Sequence, residues 1–368
     1  MNFVNHSGLP AAWTVGFRRD GRELLVTIVK ATFNLPAPGE SVALMPEQQS
    51  LVQADEFSGE PGLSAPKFES DYAPFKPGCD VLLVGSAYAP RGTRVKRCEV
   101  ELRVGAMSKR FVAVGPRVWQ KTLGMVSATS PTAFETVPLS YDTAWGGTDR
   151  THEAEGNVDT FVQNPVGRGY WRYKDEIDGQ PLPYTEQVGK PIDSYSGNYV
   201  PQAFSPLGRS WTPRAQLAGT YDKEWLTNRA PLWPDDFNER YFQCAAADQI
   251  ISYPVGGEQV MLKNLSPHEV LSFALPAIEM PVTFIPHKGR DITRSANVDT
   301  IVLQPDQGRF TLTWRHALPL GRSIFDVKET IVGQMPEAWH RSRRFPGKPY
   351  YTSLRDAVTA RAARKSRT

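Results

Sequence analysis

The stretch RELLVTIVKATFNL, Arg22 to Leu35, decides the fold. In an extended chain Leu25, Thr27, Val29 and Ala31 fall on one face, and Val26, Ile28 and Lys30 on the other. Both faces are largely apolar, and β-branched residues crowd the middle. That pattern predicts a strand covered on both sides rather than a helix. CDVLLVGSAYAP, from Cys79, reads the same way. RVKRCEVELRVG and KRFVAVGPRVW alternate polar and apolar residues across Gly105-Ala106-Met107, which predicts an antiparallel hairpin with one solvated face. Further strands are expected in EQVMLKNL, VLSFALP and MPVTFIP. NVDTIVLQPDQGRFTLTWRHA should form a second hairpin, turning at Pro305-Asp306-Gln307-Gly308.

Helix signals are few. YDKEWLTNRAPLWP holds a short helix at most, stopped by Pro231. TSLRDAVTARAARK, near the C-terminus, reads as a helix capped by Thr352 or Ser353. Residues 40–77 form a Pro/Gly/Ser-rich connection. Residues 142–213 are dense in Gly, Pro, Asn, Asp, Trp and Tyr, with hardly a regular run. Their aromatics, Trp145, Phe161, Tyr170, Trp171 and Trp211 among them, argue for packed, ordered loops rather than disorder. The fold class is therefore mainly β: antiparallel sheets in a sandwich-like arrangement, in one or two packed lobes, with long ordered loops and a short C-terminal helix.

Composition narrows the function classes. Hydrophobic residues make up 40% of the 368, charged residues 22% and aromatics 11%, which suits a globular protein with a real core. The net charge of +3 conceals an asymmetry: from His340 onward nine cations, including Arg341, Arg343, Arg344, Arg361, Arg364 and Lys365, oppose the single acid Asp356, so the rest of the chain is acidic. Cys79, Cys98 and Cys244 are odd in number and far apart, so a reducing compartment is expected. The N-terminus lacks the pattern of a signal peptide, and no run is long enough for a membrane-spanning helix. A cytoplasmic address and no membrane partner follow as expectations.

No complete catalytic or metal motif emerges. HEAEG, His152 to Gly156, begins like a zinc-protease helix but lacks the second histidine, and the remaining histidines are scattered. Asp149, Asn157 and Asp159 lack the spacing of a calcium loop. VGRGYW, Val166 to Trp171, has only part of a dinucleotide fingerprint, and Ser196 lacks a nucleophile elbow. No cofactor is expected. The carboxylates Asp142, Asp149, Glu153 and Glu155 lie among aromatics that could stack on a sugar. A carbohydrate-active or carbohydrate-binding protein is thus the alternative reading. Asp beside Gly is also the common way of satisfying turn amides. Under that second reading Gly146-Gly147 makes a turn and Asp149 caps it or bridges it to an arginine. The basic tail could dock on an acidic partner, but without an aromatic groove a nucleic-acid partner is not expected.

Several stretches read together resemble one family. These are LLVTIVKATF (Leu24–Phe33), YDTAWGGTD (Tyr141–Asp149), NPVGRGY (Asn164–Tyr170) and the long run from Ser205 to Gln249. They are similar to the bacterial family called domain of unknown function 2169, over about the first 275 residues. The resemblance implies a non-enzymatic adaptor or chaperone of type VI secretion. Such a protein binds a cognate toxic effector and helps load it onto the VgrG spike or PAAR tip. No catalytic residue carries over. Trp145, Gly146, Gly147, Thr148, Asp149, Asn164, Pro165, Gly167, Arg168 and Gly169 carry over as family marks, with docking and structural roles both open. Arg209 and Trp211, in the following loop, are grouped with them. The expected organisation is a β-rich body over residues 1–275, further strands packed on it over 276–335, and a basic, partly helical tail over 336–368.

Overall fold

The computed structural model describes every residue except Arg322, Pro346, Lys348, Thr352 and residues 366–368. Thr352, one of the two expected helix caps, and the tail cations Lys348 and Arg367 therefore lie outside the described residues, as do the side chains of residues 363–365.

The protein is mainly β, with several largely antiparallel sheets, and among the described residues none closes into a barrel. Glu23–Asn34 is one long strand, buried from Leu24 to Phe33. One face, with Leu25, Val29, Ala31 and Phe33, enters the main hydrophobic core. On the other, Leu24, Val26 and Ile28 pack beneath Leu51 and Tyr72. The strand lies in a six-stranded sheet ordered Ile250–Ile251, Cys79–Leu83, Asn297–Gln304, Arg309–Pro319, Glu23–Asn34 and Ala11–Phe17. Only Cys79–Leu83 beside Asn297–Gln304 is a parallel pair in it. The segment 276–335 thus supplies the middle of this sheet.

Both expected hairpins form. Arg97–Val104 pairs with Met107–Val114 in a five-stranded antiparallel sheet that also holds Gln259–Lys263 and Val270–Ala274. Asn297–Gln304 pairs with Arg309–Pro319 across the Pro305–Gln307 turn. A four-stranded sheet adds Asn2–Asn5, Val327–Val332, Pro281–Pro286 and Ile292–Ser295. Val100, Phe111, Val282, Phe284, Phe310 and Trp314 join the three sheets in one core. Each such fully buried side chain contributes about 1.5–3 kcal/mol.

CDVLLVGSAYAP is not one strand. Cys79–Leu83 stays in the large sheet, while Gly85–Tyr88 turns away to pair with Thr136–Leu139. The three cysteines are free and buried. Burial pushes the thiols of Cys79 and Cys244 well above their usual range. The short helix Lys223–Asn228 is capped by Asp222, and the C-terminal helix begins at Leu354 with Ser353 Oγ accepting from Asp356 N at 3.1 Å.

Residues 40–77 strap the second face of the long strand through buried charges. Lys30 Nζ meets Asp71 Oδ2 at 2.6 Å, and Arg315 donates to the carbonyls of Asp71 and Ala73 at 2.6 and 2.9 Å. Removing one partner of such a pair strands the other charge away from water. Asp71→Ala should therefore lower the unfolding free energy by about 3–5 kcal/mol, read as a lower urea midpoint. Adding Lys30→Met to Asp71→Ala should recover much of that loss.

Candidate functional site

The family marks form a knot inside the loop region. Trp145–Gly146 is extended and pairs in parallel with Arg168–Gly169. Trp145 is 1% exposed and meets Phe161, Tyr170 and Tyr199 edge-on. Together with Trp119, Ile177, Leu182 and Ile192 these rings make a second core, separate from that between the sheets. The side-chain amide of Asn164, fully buried, donates to the carbonyls of Tyr141 and Trp145 at 2.8 and 2.9 Å. Arg168 Nε donates to Asp142 O at 2.9 Å, and its guanidinium lies over Tyr184. Thr148 Oγ1 donates to Pro165 O at 3.1 Å.

Gly146-Gly147 does not make the expected turn. The backbone of Asn164 passes so close that a Cβ on Gly146 would lie 2.2 Å from its carbonyl oxygen. Gly146 also has a φ of 145°. Only glycine allows two chains to cross at that distance with that backbone conformation. Asp149 likewise bridges to no arginine side chain among the described residues. It accepts from Thr151 N and Oγ1 at 2.9 and 2.6 Å, and from the amides of Arg172 and Tyr173 at 2.9 Å each. Burial alone would raise its pKa, but these bonds to the ionised form outweigh burial and lower it.

Arg209 and Trp211 anchor the following loop. Arg209 holds Asp55 with two bonds, at 2.9 and 3.2 Å, and reaches Glu69 at 2.7 Å. Beside it Arg214 grips Glu69 with two bonds of 2.6 Å. Trp211, 5% exposed, meets Tyr141 edge-on. The positions singled out in the sequence are thus brought together, mostly as buried scaffold. Pro165, Gly167 and Arg168 are partly accessible.

The four carboxylates do not share a cleft. Asp142 lines a cavity of about 290 Å³ that includes none of the other three, and its oxygens accept from Ala65 N, Ser58 Oγ and Ser140 Oγ. Glu153 pairs with Arg150 and Glu155 with His152. In the tail, Glu337–Arg344 is a helix tied down by Arg343, which forms a forked pair with Asp291 at 2.7 Å and lies over Trp339. Arg341 approaches Glu337 at 3.9 Å, while Arg344 and Arg361 are exposed. Arg364 and Lys365 continue the last helix, which ends at Lys365.

Sequence reasoning missed an exposed apolar row on a sheet edge. AAWTVGF, Ala11–Phe17, is the edge strand of the large sheet, antiparallel to Glu23–Asn34. Trp13, Val15 and Phe17 are 39%, 37% and 50% exposed. Their alternation was the available signal. Phe17 borders a cavity of about 310 Å³ with Tyr221, Trp225, Pro231, Leu232 and Trp233. A second, of about 230 Å³, lies between Phe17, Leu24, Phe75, Phe237 and Phe242. Leu226, next to Trp225 in the short helix, is 66% exposed. An edge strand beside aromatic hollows can hold another chain through both backbone and side chains.

Among the described residues no cluster of His, Cys, Asp and Glu could hold a metal, and no helix is long and apolar enough to cross a membrane. The architecture is that of a mainly β protein whose marked residues knot an ordered loop region. Residues 20–315 match the family described as an uncharacterized protein conserved in bacteria (DUF2169), and the chain belongs to that family. No match is found among curated proteins or solved structures. The family match runs on past residue 275 to Arg315, and so takes in the central hairpin and its buried arginine.

Asp149→Asn places an amide NH₂ or a single neutral oxygen where three backbone N–H groups now point at a carboxylate. It should cost about 1–3 kcal/mol, measured by urea unfolding at pH 7. Because the folded pKa lies below the unfolded one, wild type should keep its advantage above about pH 4 and lose it as pH falls further.

Proposed function

We propose that this protein is a non-enzymatic adaptor or chaperone. It binds a toxic type VI secretion effector in the cytoplasm and helps load it onto the VgrG spike or PAAR tip. The secretion system and these partners come from the family resemblance. The observation that carries a docking role is the apolar surface around Phe17, on a body whose marked residues are engaged in structural bonds. Large exposed aromatic patches beside hollows are typical of protein contact sites. The four carboxylates offer a carbohydrate site no comparable support, because each is engaged by its own separate partners.

Co-expression with a candidate effector and a VgrG from the same genome tests this reading. The effector should be recovered in a pull-down of this protein, and its soluble yield and secretion should fall when this protein is omitted. Phe17→Glu should reduce recovery by about tenfold or more, as loss of a hot-spot aromatic does, while the melting temperature stays close to wild type. Equal effector solubility, loading and secretion with and without this protein would sink the proposal.

A further inference from the structure

We infer that the outer edge of Ala11–Phe17 is a strand-addition site. It accepts an extended segment of a partner protein, with apolar residues at alternate positions and a carboxylate beside Arg18 and Arg19. The inference rests on the adaptor reading for the source of that partner, and on the geometry of the edge for its chemistry.

The hydrogen-bond phase fixes which groups face outward. Lys30 N donates to Pro10 O, and Arg18 N donates to Arg22 O, each at 2.9 Å. In an antiparallel pair the bonded positions alternate, so Ala12, Thr14 and Gly16 turn their backbone groups toward the neighbouring strand. Ala11, Trp13 and Val15 turn theirs outward, and among the described residues no group bonds those of Trp13 and Val15. The row stops at Phe17, whose carbonyl accepts from Trp233 Nε1 at 3.2 Å.

Natural edge strands are usually short, bulged or charged, because a regular apolar edge recruits other strands. This one has seven residues in unbroken register and no charged side chain. An unpaired ladder specifies its occupant: only an extended backbone presents N–H and C=O groups at the matching spacing. Trp13, Val15 and Phe17 then call for apolar residues on the same face of the added strand, and the hollow between Phe17, Tyr221 and Trp225 for a bulky one at its end.

Charge supplies the last element. Arg18, Arg19 and Arg22 are exposed and form no ion pair among the described residues, although Asp236 feels the charge of Arg19. A second copy of this chain does not complement them. Two-fold symmetry would pair the edges antiparallel and bring these arginines toward residues 5–10 of the other copy, which contain no acid. The complementary partner is a foreign strand with an acid at that end.

The test selects binders from a displayed library of random peptides on the full-length protein, then measures the consensus peptide by fluorescence anisotropy. Alternating apolar residues with an acid at one end are expected. Val15→Pro deletes an outward N–H without touching the inner ladder, and should weaken the peptide about tenfold or more. Should that variant unfold, methylating the alternate peptide amides that face the strand must weaken binding by a similar factor on unaltered protein. Arg18→Glu with Arg19→Glu should switch the preference to a basic end.

A consensus without alternation, no enriched peptide, or unchanged affinity on amide methylation overturns the inference. A wild-type dimer that Val15→Pro splits also overturns it, by making the edge a self-interface. Effector capture separates the two proposals. Capture that survives Val15→Pro removes the strand site and leaves the adaptor reading standing. No capture by wild type removes the adaptor reading, while the peptide selection still judges the site.

Discussion

Asp71 holds three parts of the molecule at once. Its carboxylate accepts from Lys30 on the long strand and from the amide of Val52, with Thr313 Oγ1 at 3.4 Å on its other oxygen. Its carbonyl is held by Arg315, whose Nε pairs with Asp299. A few residues on, Lys76 meets Asp80 at 2.8 Å and Thr300 at 2.9 Å, and Asp80 also accepts from the amide of Cys244. Burial would depress the Lys76 ammonium, but the charge of Asp80 overrides it and holds its pKa well above the lysine range. Buried ions contribute little net stability because desolvation offsets attraction; what they oppose strongly is any arrangement that separates them. The strap is therefore fixed in position more than it is fixed in strength, and it is the strap that gives the long strand its second covered face.

The other end of the strap joins the two cores. Asp55 and Glu69 receive Arg209 and Arg214, and the amide of Ala65 donates to Asp142. Asp142 lies in the stretch that carries the family resemblance and Arg168 is one of the family marks, so the knot at Trp145 is coupled to the strap through polar bonds, beside a small apolar cluster of Ala65, Tyr141, Ala144 and Trp211. On its far side the loop region is pinned to the five-stranded sheet by Glu186, which takes Arg97 and Arg117 together and the amide of Ile192 at 2.8 Å. A chain section poor in regular structure becomes rigid in this way: its backbone groups find side-chain partners in place of a ladder.

The legible part of the fold was the part carried by local pattern. Alternation within residues 23–34, 97–114 and 297–319 was enough to find strands and hairpins, since side-chain period and burial are properties of neighbouring residues. The strap was not legible, because Asp71 and Arg315 are 244 positions apart and nothing local to either predicts the other. The same holds for Gly146, which reads as a turn residue in isolation. Its reason for being glycine is the carbonyl of Asn164, which reaches it from a different segment. The carboxylates misled for the same cause: their chemistry is decided by amides from elsewhere in the chain. The edge strand is the opposite case, since Trp13, Val15 and Phe17 alternate within one short run and no distant residue is needed to read it.

The rigidity of the strap bears directly on that edge. Pro74 packs so closely on Gly16 that a Cβ there would lie 2.4 Å from the proline Cβ. The inner ladder, the strap-facing side and the Trp233 bond to Phe17 together leave the edge strand one free direction, outward along its backbone groups. A strand held in this way needs no ordering when a second one pairs with it. The conformational cost of association then falls on the incoming segment alone, which lowers the barrier to recognition without adding a contact. A clamped interior and an open edge are thus two consequences of one construction: charges that fix the strap against the sheet also hold the strand ready for a partner.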